Sequence, residues 1–231
     1  MKGGPFRILL KLSGEAFGET GGGFSQERLA RIASEISGLS QTEIAIVVGG
    51  GNIIRGGKSG WLDRVEADTL GMLATIINAI ALRSYLEREG RKVIVQSAID
   101  TEFTSRISPR EARSALHDGA IVLFAGGTGS PFVTTDTAAA LRAASIDADL
   151  LAKGSDIAGV YTADPDLDPE AELLSEITYD DYLEHRYLAM DQVAVEICRE
   201  NSIPIEVFDF RVPGALARLA AGERVGTRIA G

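Results

Sequence analysis

Two lysines lie at or near the ends of apolar segments that lead into turns of small residues. Lys11 belongs to the apolar run at residues 6–12 and precedes Ser13 and Gly14, and Lys153 ends a second such run. A lysine in an apolar strand carries a desolvation cost unless its ammonium group meets an anion. Phosphoryl transfer needs mainly positioning and charge neutralisation, so the two lysines predict a pair of cations around a transferring phosphoryl group.

Three glycine-rich segments, at residues 13–14, 49–51 and 126–129, follow predicted strands. Glycine lets the backbone approach a ligand closely, and successive N–H groups can cradle phosphate oxygens. One such segment is typical of a tight turn, but three in one chain favour a site for several phosphates. Two nucleotide signatures fail, because Asn52 replaces the first glycine of GxxxxGK[ST] and Ile54 replaces the third glycine of GxGxxG.

Three further charged residues lie beside these segments. Arg55 follows the glycines at 49–51, where its guanidinium can bind a phosphate in bidentate fashion; a surface arginine is the alternative. Asp68 lies on a long predicted helix; the alternative to a role in the site is an ordinary solvated charge on the helix surface. Asp136 follows two threonines at a predicted helix start, where an acidic side chain also interacts favourably with the helix dipole.

Apolar runs that alternate with amphipathic stretches must position these residues. We predict strands at residues 6–12, 44–48, 93–95, 120–124, 149–152, 205–208 and 226–229, and helices at residues 25–39, 62–89, 109–117, 135–144, 179–183, 191–201 and 214–220. Strands alternating with helices imply right-handed crossovers and a mainly parallel sheet covered on both faces. We therefore predict a three-layer α/β/α sandwich, in which ligands bind where strand ends meet helix starts. Residues 160–167 are predicted to form an irregular loop.

The composition of the 231 residues excludes several classes of function. A formal net charge of −10 argues against broad binding of nucleic acid or anionic membranes. The single cysteine, Cys198, excludes a disulfide framework and a cysteine-based zinc site, and only two histidines argue against a multi-histidine metal site. We expect no signal peptide and no membrane span, and we predict a cytoplasmic location.

Ordered blocks along nearly the whole chain add a resemblance. The blocks read ILLKLSGEA at residues 8–16, VGGGN at 48–52, GMLAT at 71–75, GTGSPFVTTD at 127–136, GVYTADP at 159–165 and PGAL at 213–216. In these blocks the chain resembles the bacterial uridylate kinases of the amino-acid kinase superfamily. The resemblance implies transfer of the γ-phosphoryl group of ATP to UMP with Mg²⁺, giving UDP in pyrimidine nucleotide biosynthesis.

The resemblance also implies roles for individual residues. The residues implied at the reaction centre are Lys11, Arg55, Asp136 and Lys153. The implied ATP-binding residues are Lys11, Leu12, Ser13, Gly14, Gly51, Arg55, Ser155, Tyr161 and Asp164. The implied UMP-binding residues are Gly50, Asp68, Thr128, Gly129, Ser130, Pro131, Phe132, Val133, Thr134 and Thr135. No protein residue is assigned as a direct metal ligand. The expected organisation is a single domain at residues 1–231, with an acceptor half at about 1–150 and an ATP half at about 151–231.

An oligomer is expected on two grounds. Residues 62–89 carry apolar side chains over more of the helix circumference than one core face needs, which predicts a subunit interface. The resemblance implies a homohexamer that GTP activates and UTP inhibits.

Two alternatives remain open from the sequence. The first is a kinase of the same fold that phosphorylates a carboxylate such as acetylglutamate or aspartate, although Asp68 would repel such a substrate. The second is a non-catalytic nucleotide sensor. The cations Lys11, Arg55 and Lys153 argue against a sensor, because a sensor does not need cations around a transferring group.

Overall fold

Residues 5–19, 21–54, 61–165 and 167–231 are described by a computed structural model of the chain. Arg55 lies outside these described residues, so the phosphate contact expected of it stays a prediction. The predicted reaction-centre residues other than Arg55, namely Lys11, Asp136 and Lys153, are all described.

A mainly parallel sheet runs through the centre of the described residues. Its strands are β1 (Arg7–Leu12), β2 (Glu43–Val48), β3 (Val93–Ser97), β4 (Ser105–Arg106), β5 (Ile121–Ala125), β6 (Leu150–Ser155), β9 (Glu176–Ile177), β10 (Ile205–Asp209) and β11 (Thr227–Ile229). Their spatial order is β4-β3-β5-β2-β1-β6-β10-β11-β9. The neighbours β10 and β11 pair antiparallel, and the other described pairings in this sheet are parallel.

Helices cover both faces of this sheet. They are α1 (Gln26–Ser37), α2 (Arg64–Arg88), α3 (Pro109–His117), α4 (Thr135–Ser145), α5 (Tyr179–His185), α6 (Gln192–Glu200) and α7 (Ala215–Ala220). Successive residues of β1 point to opposite faces: Leu9 packs in the core beneath α3 to α6, and Ile8 and Leu10 pack in the core beneath α1, α2 and α7. The predicted α/β/α sandwich is thereby confirmed.

Helix starts follow the local sequence. Ser25 accepts a hydrogen bond from the Arg28 backbone N–H at the start of α1, and Ser108 accepts one from Glu111 at the start of α3, where Pro109 takes the first helical position. Each side chain satisfies a backbone donor that has no partner within the helix. The predicted bounds of these helices are therefore close to those observed.

The long helix α2 is apolar enough, by length and composition alone, to cross a membrane. In the structure its buried residues, including Leu82 and Leu86, pack in the core that β1 and β2 share with α1, so α2 forms part of an outer layer. Leu70, Leu73 and Ile77 are nevertheless 37%, 41% and 48% exposed. This exposed apolar face is the surface on which the sequence predicts a subunit contact.

The irregular loop predicted at residues 160–167 is wrong in its first part. Strand β7 (Val160–Tyr161) pairs antiparallel with β8 (Leu173–Leu174) in a separate two-stranded sheet. The short edge strands β4 and β9 were also not predicted. Each of these strands has two residues, which is too short for an alternating pattern to be recognised in the sequence.

Candidate active site

Lys11 and Lys153 converge on one carboxylate. They occupy the same register position on the neighbouring parallel strands β1 and β6. The Lys11 Nζ atom lies 2.8 Å from Asp136 Oδ1, and the Lys153 Nζ atom lies 2.5 Å from Asp136 Oδ2. Lys11 and Asp136 are only 7% and 8% exposed. Two ammonium groups and one carboxylate thus form a buried cluster at the carboxyl ends of the central strands.

The charges of this cluster control its protonation. Burial would raise the pKa of Asp136, but the charges and hydrogen bonds of Lys11 and Lys153 outweigh it and hold that pKa far below its ordinary value. Burial, followed by the charge of Lys11, lowers the pKa of Lys153, although Asp136 and Asp191 oppose the change. Asp136 is therefore ionised near neutral pH, while Lys153 loses its proton more readily than a surface lysine does.

Asp136 is positioned by the start of α4. The Thr134 hydroxyl oxygen accepts hydrogen bonds from the backbone N–H groups of Asp136 and Thr137, at 3.1 and 3.3 Å. A threonine in this position caps the helix, so it fixes the turn that carries Asp136. The helix N-terminus and the two lysines together make this region favourable for an anion.

The glycine-rich segments pack against one another. A Cβ atom on Gly14 would lie 2.0 Å from the Gly51 backbone nitrogen, so the turn after β1 lies directly against the turn after β2. A Cβ atom on Gly50 would lie 2.7 Å from the Gly71 carbonyl oxygen of α2. Gly126 has a φ of +75°, which favours glycine, and its N–H donates to the Thr75 hydroxyl at 2.7 Å. Close packing alone therefore requires several of these glycines, whether or not a ligand binds.

A cleft of about 180 Å³ lies between α2 and the segments after β2 and β5. Its lining residues are Gly50, Gly51, Ile54, Asp68, Gly71, Met72, Thr75, Gly127, Ser130, Val133 and Thr135. The structure thus brings five of the predicted UMP-binding residues together, namely Gly50, Asp68, Ser130, Val133 and Thr135, and it adds Gly51, which was predicted for ATP. The cleft reaches Thr135, the residue next to Asp136.

Asp68 joins α2 to the segment after β5. Its Oδ2 atom accepts a hydrogen bond from the Phe132 backbone N–H at 2.8 Å and another from Arg64 Nε at 2.7 Å. Phe132 has a left-handed backbone, with a φ of 66°, and its exposed ring lies 5.6 Å from the Arg64 guanidinium carbon. Asp68 therefore shapes the wall of this cleft and is more than a solvated helix charge.

The remaining predicted UMP-binding residues do not line this cleft. Thr128, Gly129, Pro131, Phe132 and Thr134 lie in the same segment, between β5 and α4. The Thr128 hydroxyl oxygen accepts from the Ser130 N–H at 3.3 Å, and the Thr134 side chain caps α4. In this structure the Thr128 and Thr134 side chains therefore stabilise the shape of the segment.

A second cleft, of about 230 Å³, lies beside the turns that follow β1, β6 and β10. It contains Ser13 and Ser155 of the predicted ATP site, each two residues beyond its lysine. Its other lining residues are Glu15, Ala16, Arg28, Arg31, Asp156, Phe210 and Arg211. Sequence reasoning missed the three arginines, because no local pattern shows that α1 and the turn after β10 meet here.

Other residues predicted for ATP lie elsewhere. Tyr161 belongs to β7 and Asp164 to the turn that follows it, and neither lines the second cleft. The Leu12 side chain is fully buried in the core, and its carbonyl oxygen accepts from the Gly49 N–H at 2.8 Å. Gly14 contacts the backbone of Gly51. Their contacts with ATP stay predictions.

A pair of buried asparagines was also missed. Asn78 Nδ2 donates to the Asn52 side-chain oxygen at 2.7 Å and to the Gly49 carbonyl at 2.6 Å. Asn52 Nδ2 donates back to the Asn78 side-chain oxygen at 3.2 Å and to the Gly23 carbonyl at 3.1 Å. These bonds attach the turn after β2 to α2. A polar side chain within an apolar helical stretch is the signal that points to Asn78.

Comparisons with known proteins show the family to which the chain belongs. A model of the amino acid kinase family matches residues 6–209. A uridylate kinase of Methylococcus capsulatus is 47% identical over 227 residues, which cover 96% of this chain and 95% of that protein. A uridylate kinase of Bacteroides thetaiotaomicron is 45% identical over 227 residues, or 96% of each chain. The crystal structure of UMP kinase from Bacillus anthracis has a TM-score of 0.92 and 38% identity, covering 98% of this chain and 96% of that one. The chain therefore belongs to the amino acid kinase family and is similar, along nearly its whole length, to uridylate kinases.

Proposed function

We propose that this kinase transfers the γ-phosphoryl group of ATP to UMP beside Lys11 and Lys153, with UMP in the first cleft and ATP at the second. The uridylate kinases and UMP kinase that it resembles support UMP as the acceptor. The observation that carries the location is the buried Lys11–Asp136–Lys153 cluster, with one cleft reaching Thr135 and the other reaching Ser13 and Ser155.

UMP binds in the first cleft in this proposal. The Asp68 carboxylate accepts hydrogen bonds from the ribose hydroxyls, and the turn at Gly50 holds the phosphate. In this proposal the base lies against the segment 128–135, which offers backbone groups and hydroxyls as hydrogen-bonding partners, and the resemblance to uridylate kinases is what supports uracil. Arg55, which follows this turn in the sequence, is proposed to reach the phosphates as well.

ATP approaches from the ends of β1 and β6. Ser13, Gly14 and Gly51 support its phosphates through the backbone, and the segment from Ser155 to Asp164, with Tyr161, holds the adenosine. Lys11 and Lys153 then lie beside the γ-phosphoryl group. In this proposal the acceptor binds in the half at about residues 1–150 and the adenosine of ATP in the half at about residues 151–231, within one domain.

The chemistry needs no protein base. A phosphate oxygen of UMP is already largely ionised near neutral pH. It attacks the γ-phosphorus in line, the bond from that phosphorus to the β–γ bridging oxygen breaks, and ADP leaves with the electron pair. Lys11 and Lys153 stabilise the charge that spreads over the transferring oxygens, because preorganised charges in a buried site cost no reorganisation during the reaction. Asp136 holds the two ammonium groups at fixed positions and offsets their mutual repulsion.

Mg²⁺ fits this site as an ion carried by ATP. No cluster of three or more metal-ligating side chains occurs among the described residues. Both oxygens of Asp136 already contact ammonium groups. Mg²⁺ commonly binds through substrate phosphates and water with few protein ligands. When bound, it would neutralise charge on the phosphates, while the lysines hold the γ-phosphoryl group.

The oligomer and its regulation belong to the same proposal. The exposed apolar face of α2, formed by Leu70, Leu73 and Ile77, supports a contact between copies of the chain. We propose a homohexamer that GTP activates and UTP inhibits, placed in the cytoplasm and in pyrimidine nucleotide biosynthesis.

A coupled ADP-release assay tests the proposed function. The purified chain is given ATP and Mg²⁺ with UMP, CMP, acetylglutamate or aspartate in parallel. We expect UMP to give the highest kcat/KM. ADP release with acetylglutamate or aspartate, but not with UMP, would identify a different kinase of the same fold. Nucleotide binding without ADP release would identify a sensor.

A further inference from the structure

Asp191, which directly precedes α6, contacts two hydroxyl groups in the first turn of α4. The Thr137 hydroxyl oxygen lies 3.0 Å from each oxygen of its carboxylate, and the Thr134 hydroxyl donates to Oδ2. The carboxylate also accepts from the Ala194 N–H at 2.8 Å, which caps α6. One carboxylate therefore joins the N-terminal ends of α4 and α6, which belong to different halves of the proposed site.

The segment that carries Asp191 also contacts Lys153. The Lys153 ammonium donates to the Ala189 carbonyl as well as to Asp136. Between Ala189 and Asp191, the backbone of Met190 is held by the buried Tyr182 hydroxyl, which donates to its carbonyl at 2.7 Å and accepts from its N–H at 2.6 Å. The segment is thus anchored to α5, and the residues on either side of the anchor reach Lys153 and α4.

We propose that Asp191 is a positioning residue for phosphoryl transfer, which fixes the first turn of α4 through Thr134 and Thr137 and so holds Asp136 between Lys11 and Lys153. The inference rests on the proposed function. A residue that only caps α6 needs the bond to Ala194 and nothing more. The hydroxyl bonds to α4 add a link to the reaction centre, where a displacement of about 1 Å can reduce the rate about 100-fold.

The charge of Asp191 acts on Lys153 as well. The charged groups that face Lys153 are Lys11 from β1, Asp136 from α4 and Asp191 from the segment before α6. The Asp191 carboxylate raises the pKa of Lys153, against burial and the charge of Lys11. Removing this charge would lower the pKa of Lys153 further, so the enzyme would lose activity at a lower alkaline pH.

The variant Asp191→Asn separates positioning from capping. Asparagine caps helices as well as aspartate does, so the bond to Ala194 and the stability of α6 are kept. The charge and one of the acceptors for the α4 hydroxyls are lost. We expect kcat with UMP and ATP to fall about 10- to 100-fold. The alkaline limb, which is the fall of kcat with rising pH, should move to lower pH. The thermal unfolding midpoint should stay close to that of the wild type.

Two further variants complete the test. Thr137→Val keeps the shape of the side chain but removes its hydroxyl, and we expect a smaller fall in kcat. Because both changes break the same link, the double variant should lose less than the two single losses combined. Asp181→Asn is the matched control: Asp181 accepts from the Thr178 hydroxyl at 2.7 Å at the start of α5, and we expect full kcat.

The outcomes separate this inference from the proposed function. If the wild type is active, and Asp191→Asn has the same kcat and the same alkaline limb as the wild type, the inference is overturned while the proposed function stands. If Asp191→Asn does not fold, Thr137→Val decides: reduced kcat at an unchanged unfolding midpoint supports the inference, and normal kcat overturns it. A wild-type chain that releases no ADP would overturn the proposed function, and this inference with it.

Discussion

Lys11 and Lys153 are direct partners across the parallel pairing of β1 and β6, and their ammonium groups contact the two oxygens of one carboxylate. Parallel strands align their carboxyl ends, so residues in register reach the same edge of the sheet. Two cations this close repel each other unless an anion lies between them. Asp136 supplies that anion, and a phosphoryl group adjacent to the cluster would meet two fixed positive charges.

Removing the Asp136 charge should affect both stability and rate. In Asp136→Asn two buried ammonium groups lose their shared partner, and breaking a buried ion pair costs about 3 kcal/mol or more of unfolding free energy. We expect this loss in denaturant unfolding, together with a fall in kcat of at least about 100-fold. Asp147→Asn is the control, because Asp147 lies on the surface, 3.7 Å from Arg113, and exposed pairs contribute little. Equal stability of the two variants would contradict a structural role for the cluster.

The lowered pKa of Asp136 gives this contribution a pH dependence. A carboxyl group whose pKa falls on folding stabilises the protein fully above its unfolded pKa of about 3.9. The contribution is lost as the pH falls toward the lower pKa of the folded state. We expect the stability difference between wild type and Asp136→Asn to shrink in acid, as measured by urea unfolding at a series of pH values.

The alkaline limb of the rate should report Lys153. Burial and the charge of Lys11 lower the pKa of Lys153, so kcat should fall with rising pH before an ordinary lysine would titrate, near pH 10.4. Arginine stays charged throughout this range, so any activity that Lys153→Arg retains should lack this limb. A limb that is the same in both proteins would assign the titration to another group.

The exposed face of α2 should control assembly. Ile77 is 48% exposed on this face, and Ile77→Glu places a charge where a second copy would pack. We expect the wild type to be oligomeric at micromolar concentration, and the variant to have a smaller mass in light scattering. Leu167→Glu changes a residue that is 82% exposed in another part of the fold and should keep the wild-type mass. A strictly monomeric wild type would contradict the contact.

The sequence predicts local features of the fold well. Alternating apolar runs and helix caps such as Ser25 and Ser108 depend on neighbouring residues, so they can be read directly. The pairing of β7 with β8 was missed because the two strands are short and their nearest ends lie 12 positions apart in the sequence. Long strands and helices can therefore be predicted from local patterns, whereas strands of two residues cannot.

The site depends more on contacts between distant residues. Lys11 and Lys153 were found because a charge in an apolar run is conspicuous, but their register depends on a strand order that the sequence does not show. The local pattern around Asp136 is that of an ordinary helix start, and only the resemblance implies a place for this residue at the reaction centre. Asp191 and Asn78 were missed because their partners lie 54 and 26 positions away.

UDP formation by the wild type and by Lys11→Ala tests the central claim most directly. Both proteins are mixed with ATP, Mg²⁺ and UMP, and the exposed Lys92→Ala serves as the control. We expect rapid UDP formation by the wild type and the control, and a rate lower by about 100-fold or more in folded Lys11→Ala, because one of the two charges beside the phosphoryl group is gone. Near-normal UDP formation by Lys11→Ala would contradict the account.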